Sequence, residues 1–166
     1  MTHRRRARRG DRSDSGASAV EFALVMPVLF LLVFGILDYG RFYFDSVSMR
    51  QGVREASRQA IVQQYGSCTT GTVGAKIRCA AVAATDTTMG STPVVYIPAV
   101  SGGWAQGKQL VVCMQSKEQG TGFVPLPAGG ILKTKTYMSI EVGNPVVDPT
   151  YTSEAAPSGS DWSWCS

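Results

Sequence analysis

Four cysteines, one histidine and twelve carboxylates are what this chain has for building a reactive site, and their positions build none. His3 is the sole histidine and precedes a long apolar run. That removes His-based triads and most metal sites from everything after the run. Glu118, Glu141, Asp148, Glu154 and Asp161 are scattered along the later chain and form no evident acid–base pair. Asp86, flanked by Thr85, Thr87 and Thr88, reads as a turn rather than a calcium loop. Gly102, Gly103 and Gly107 have no following Lys-Ser/Thr and no βαβ setting, so they make no phosphate loop. No catalytic residue, metal, cofactor or small-molecule substrate is expected; the chain reads as a non-enzyme.

The chemistry that remains is thiol pairing. Cys68, Cys79, Cys113 and Cys165 all follow the apolar run, and no CxxC is present. An even number in an exported segment points to two disulfides. Four cysteines allow three pairings. Cys68 and Cys79 are nearest in sequence, which would leave Cys113 with Cys165, but the spacing does not fix the choice.

The element that must position everything else is the apolar run itself. Ala17 to Leu37 holds 21 residues with one charge, Glu21, and its only other breaks are Pro27 and Gly35. As a helix rising about 1.5 Å per residue it spans about 31 Å, the thickness of bilayer hydrocarbon. Its apolar residues lie on all sides, which suits lipid and not one face of a small core. Pro27 removes one backbone hydrogen bond, a loss membrane helices tolerate. Gly35 and Gly40 are small positions where another helix can approach, though not at GxxxG spacing.

Charge sets the direction. The net +4 lies wholly in residues 1–16, where six arginines (Arg4, Arg5, Arg6, Arg8, Arg9 and Arg12) meet two aspartates. Positive flanks stay cytoplasmic, so the tail is expected inside and everything past Phe44 outside. No aromatic residue interleaves these arginines, which argues against a nucleic-acid arm. An ordinary secretory signal would need a small-residue cleavage site after the run; DYGRFYF offers none.

Past Leu37 the helix is expected to leave the membrane and continue. Tyr39, Phe42, Tyr43 and Phe44 suit the interface. Asp38, Arg41 and Asp45 form i,i+3 and i,i+4 pairs. Met49, Val53, Ala56 and Ala60 recur at helical steps, predicting an amphipathic stalk to about Gln64. Arg50, Arg54 and Arg58 form a row on its other side. Next come a Gly/Thr loop at 66–74, a short Ala-rich helix at 75–85, and strands at 94–97, 109–115 and 133–142. The fold class is α+β: a long N-terminal transmembrane helix continuing as a stalk, packed on a small antiparallel sheet. The expected division is a basic leader over 1–16, helix and stalk over 17–64, a small extracytoplasmic domain over 65–144, and a loose tail over 145–166. The leader is expected to be disordered. Trp162, Trp164 and Cys165 are placed to tie the chain's end back.

The stretch GASAVEFALVMPVLFLLVFGILDYGRFYF resembles the N-terminal signature of TadE-like proteins, pseudopilins of tight-adherence (Tad, or Flp) pilus systems. The AVEFALVMPV start, the FGILDYGR exit and the helix VREASRQA carry the resemblance, which covers residues 15–62. It implies a minor pseudopilin, a single-pass membrane protein with a cytoplasmic N-terminus. It also implies a leader cut by a prepilin peptidase between Gly16 and Ala17, with Glu21 at the fifth position after Gly16. A Gly at the cut leaves the extended backbone accessible. Cutting there would leave a neutral chain with a new amine on Ala17. That amine, on the same subunit or a neighbour, would offset the cost of Glu21 near hydrocarbon, and so set one subunit against the next. The implied partners are the bilayer, other pilins and pseudopilins, and Tad assembly proteins. Two other classes stay open: an uncleaved membrane-anchored extracellular binding domain, and a small anchored hydrolase with clustered outer carboxylates.

Overall fold

The computed structural model describes residues 12–88, 92–98, 100, 103–141 and 155–166, with side chains from Gly16 onward. An unbroken series of helix-tolerant residues carries α1 from Arg12 to Val62, with Pro27 inside it. Its 51 residues make a rod about 77 Å long. The helix therefore starts within the segment expected to be a disordered leader. Ser13, Asp14, Ser15 and Gly16 are weak helix formers, so this first turn is carried by the long helix that follows it, and residues 1–11 lie outside the described part.

α1 ends because Gln63 turns left-handed, at φ 57°. The Gln63 N–H donates to the Ala60 carbonyl and the Gln64 N–H to that of Gln59. These two bonds close the last turn as a Schellman motif, with Gln where Gly is usual. Helix α2, Val73–Ala83, begins where Thr72 Oγ1 accepts from the Ala75 N–H at 3.2 Å. Its Ile77, Ala80 and Ala81 are buried against α1. The approach is close because Gly52 has no side chain. A Cβ there would collide with Thr85 Oγ1 and sit 2.9 Å from the Ala81 carbonyl.

The sheet has three antiparallel strands in the order β1 (Val94–Tyr96), β2 (Gln109–Lys117), β3 (Ile131–Ser139). β2 is central, pairing Tyr96 with Cys113 on one side and Gln109 through Lys117 with Ser139 through Ile131 on the other. Leu110, Val112 and Met114 point to one face of β2 and join the main core. That core is shared with Met49, Val53, Ala56 and Ala60 of α1, each at most 1% exposed. Phe42 belongs to it as well. It was expected at the membrane interface, but the sheet side of α1 begins earlier than the aromatic cluster suggests, and Phe42 lies on that side. Tyr43 and Phe44 remain exposed.

The other face of β2 has its own cover. Cys113, Trp162 and Cys165 form a second buried cluster with Tyr96, Val111 and Trp164 around it. Cys113 and Cys165 are bridged, as are Cys68 and Cys79. Trp162 donates from Nε1 to the Pro157 carbonyl at 3.1 Å, and Lys135 Nζ donates to the Trp164 carbonyl at 2.9 Å. The tail was expected to be loose except where Trp162, Trp164 and Cys165 tie its end back; two tryptophans and a disulfide hold residues 155–166 to the sheet. Residues 142–154 lie outside the described part, including Val142 at the expected end of the third strand. β3 itself begins at Ile131, two residues before the expected start.

Candidate membrane helix and leader junction

Gly16 and Ala17 lie in the second turn of α1, and both are exposed. The bond between them is helical, not extended as a peptidase would need it. Cutting there requires the first turns of α1 to unwind. Gly16 lowers that cost, since Gly inside a helix is about 1 kcal/mol less favourable than Ala. A Cβ at Gly16 would meet nothing within 4 Å. Glu21 is exposed one turn beyond Ala17 on the same side of the helix, at i,i+4 spacing. An amine on Ala17 and the Glu21 carboxylate would therefore be neighbours in one chain, and both face outward toward any adjoining one.

No residue from Gly16 to Leu37 is buried. Leu24 is 73% exposed and Ile36 72%. By length and composition α1 can cross a membrane, and the most apolar window of it has no cover from the rest of the molecule. A soluble chain rarely presents an apolar surface of this extent.

The exit from this segment is held by the long connection between β2 and β3, residues 118–130. Its base is closed by the Glu118 N–H donating to the Gly130 carbonyl at 2.7 Å. Gly130 sits at φ 78°, and a Cβ there would strike the Glu118 carbonyl. Asp38 of α1 is fully buried and accepts from the Thr121 N–H at 3.1 Å and the Thr121 hydroxyl at 2.6 Å. Tyr39 donates its hydroxyl to the Pro125 carbonyl at 3.1 Å. Two turns on, Asp45 is also fully buried and accepts from the Thr88 N–H at 2.8 Å and its hydroxyl at 3.0 Å. Ser48 accepts from the Asp86 N–H at 2.7 Å. Asp38 and Asp45 were expected to pair with Arg41 at i,i+3 and i,i+4 spacing; both carboxylates are buried and accept from loop backbone and hydroxyls.

Glu118 is 3% exposed. Burial pushes its carboxyl above the ordinary value, the Ser116 hydroxyl pulls it down, and the Asp45 carboxylate pushes it up again. The cost of burying Asp38 and Asp45 is met by backbone and hydroxyl donors, as burial of charge requires. In the stalk's outer row, Arg50, Arg54 and Arg58 are exposed. Arg58 grips Glu55 with two bonds of 2.7 and 2.9 Å, and Gln59 adds a third, which holds the Glu55 carboxyl down at about 2. Among the described residues no three His, Cys, Asp or Glu side chains are grouped to hold a metal.

The buried Asp38 and Asp45 were missed in the sequence because their partners are far away, in loops 83 and 43 residues downstream. An acidic residue at the interior-facing step of an otherwise apolar stripe was the only available signal. Gly35 was read as a place for another helix; here it admits Val124 of the same chain, whose Cγ2 would lie 3.5 Å from an added Cβ.

Residues 16–58 match the family model described as TadE-like protein. The match begins at Gly16 and ends within α1; the sheet and the two disulfides lie beyond it. No curated protein and no solved structure matches the chain.

Proposed function

We propose that this chain is a minor pseudopilin of a Tad pilus system, anchored in the membrane by the front of α1 and carrying its α+β head outside the cell. The observation that carries the reading is the placement of Gly16, Ala17 and Glu21 at the start of an uncovered apolar helix, inside the segment that matches the TadE-like model. Arginines before the span keep the N-terminus cytoplasmic. A prepilin peptidase cuts after Gly16, which removes the excess positive charge and frees the Ala17 amine. The span stores the subunit in the bilayer. Assembly then draws it sideways among the apolar helices of other pilins and pseudopilins, with Ala17 and Glu21 setting the axial step. Its role is structural, in building or priming the fibre with the Tad assembly proteins, and involves neither nucleic acid nor a small-molecule substrate.

Mass spectrometry of the protein from its native membrane tests this. The reading expects a mature chain beginning at Ala17. Gly16→Ala is expected to block processing, and Glu21→Ala to leave processing intact while reducing piliation. An intact leader on the wild-type protein would support an anchored extracellular binding domain instead, one that never enters a fibre. Normal processing and piliation in both variants would remove the prepilin argument.

A further inference from the structure

The tip of the β2–β3 connection carries a large exposed apolar side chain in an unusual place. Phe123 is 63% exposed, yet it stacks on Phe34 of α1 with ring centroids 5.2 Å apart. Phe34 is not at the rim of the apolar run; it precedes Leu37, the last residue of that run, by three positions. At 1.5 Å per residue, Phe123 is held about 4.5 Å below the end of the apolar segment, on the leader side. The loop is not there by chance closure. The two bonds from Thr121 to Asp38 and the bond from Tyr39 to the Pro125 carbonyl pin it on either side of Phe123. Val124 rests against Gly35. Together with Ala23, Met26, Pro27, Phe30 and Leu31, Phe123 lines an almost wholly apolar groove that opens outward. A single 3₁₀ turn, Pro127–Gly130, closes the connection, and the stretch before it is held by these contacts.

We propose that residues 121–125 form a second membrane contact: a loop from the head that inserts Phe123 into the acyl region beside the spanning helix. The occupant of the groove is lipid. This rests on the reading of α1 as a membrane span, because the depth of Phe123 is set by Phe34. An apolar ring at this depth with polar loop backbone held above it matches how interfacial segments bury Phe, Trp or Leu at the headgroup–acyl boundary. The consequence is mechanical. A lone helix lets the head swivel and tilt, whereas a helix plus a wedge fixes one face of the head toward the bilayer. Drawing the subunit into a fibre must then withdraw Phe123 as well as the helix.

All the cysteines are in disulfides, so a substituted cysteine gives a single labelling site. Phe123→Cys, Leu31→Cys and Tyr137→Cys would each carry a nitroxide on the full chain in phosphatidylcholine–phosphatidylglycerol vesicles. Each site is exposed, so the core is untouched. Paramagnetic accessibility to oxygen and to a water-soluble nickel chelate then reports depth. The oxygen-to-nickel ratio is expected to be several-fold higher at 31 and at 123 than at 137 on β3. A low ratio at 31 would overturn the membrane reading, and this inference with it. A high ratio at 31 with a ratio at 123 equal to that at 137 would overturn the loop insertion alone. Dipolar broadening between labels at 123, persisting as the lipid-to-protein ratio rises, would assign the groove to a second copy of the chain and likewise overturn it.

Discussion

The two halves of α1 are one hydrogen-bonded rod in opposite surroundings. From Gly16 to Leu37 nothing is buried, although the residues are the most apolar in the chain. From Asp38 to Ala60 every turn has a buried side, although the sequence there is mixed and charged. Apolar content therefore does not decide what the protein itself covers. The back half is covered because its apolar and small residues share one stripe that a sheet and a helix can match. The front half is apolar all round, and a head of this size cannot wrap it. Its cover must come from lipid or from other helices.

Matched substitutions sharpen this contrast most. Ala56→Asp puts a charge at a position with no exposure and is expected to destabilise the head by about 3–5 kcal/mol, the range for an uncompensated buried charge. Thermal unfolding of the detergent-solubilised chain would read it. Leu31→Asp in the front half should leave that transition unmoved. It should instead weaken membrane insertion by about 2.5–3.5 kcal/mol, read by partitioning into vesicles. If Leu31→Asp lowered the melting of the head, the two halves would not be independent.

Smaller changes probe how the back half is held. Gly52→Ala forces α1 and α2 apart at the Ala81 carbonyl and is expected to cost about 1–3 kcal/mol, as overpacking does. The same change at Gly40, where a Cβ meets nothing, should not destabilise the head.

The head also responds to pH. The Glu118 carboxyl is raised above 4.5, chiefly by burial. The folded head therefore holds that proton at a pH where the unfolded chain has released it. Its contribution to stability is full below about 4.5 and declines as pH rises through the window above. Glu118→Gln should flatten that decline, visible as a smaller drop in melting temperature between acid and neutral pH. The smallest effect expected is at the end of the rod. Gln63→Gly relieves a left-handed non-glycine residue and should stabilise the head by about 0.5–1 kcal/mol.

Much of this arrangement is legible in the residues, and the limits have a physical cause. Length and all-round apolarity mark the helix that is long and apolar enough to span a membrane, and helical steps at Met49, Val53, Ala56 and Ala60 identify the packing face, because both are local patterns. Period-two alternation finds the third strand, and a short apolar run the second. What local pattern does not carry is the partner. Phe42 reads as an interface aromatic until the sheet is known to reach it. Asp38 and Asp45 read as partners of Arg41 until Thr121 and Thr88 are known to bind them. Trp162 and Trp164 read as ties at the end of a Ser- and Asp-rich tail, but only the covered face of β2 shows what they bind. The reach of Phe123 down to Phe34 depends on a long loop whose path no periodicity reports.

Hydrogen–deuterium exchange of the full chain in lipid vesicles most directly tests whether the front of α1 lives in lipid. Amides 22–33 are expected to stay unexchanged long after those of the exposed Gly66, Ser67, Thr70 and Gly71 have exchanged, although no protein surface covers them. Equally fast exchange in the two segments, from a chain that remains in solution when the vesicles are pelleted, would contradict it.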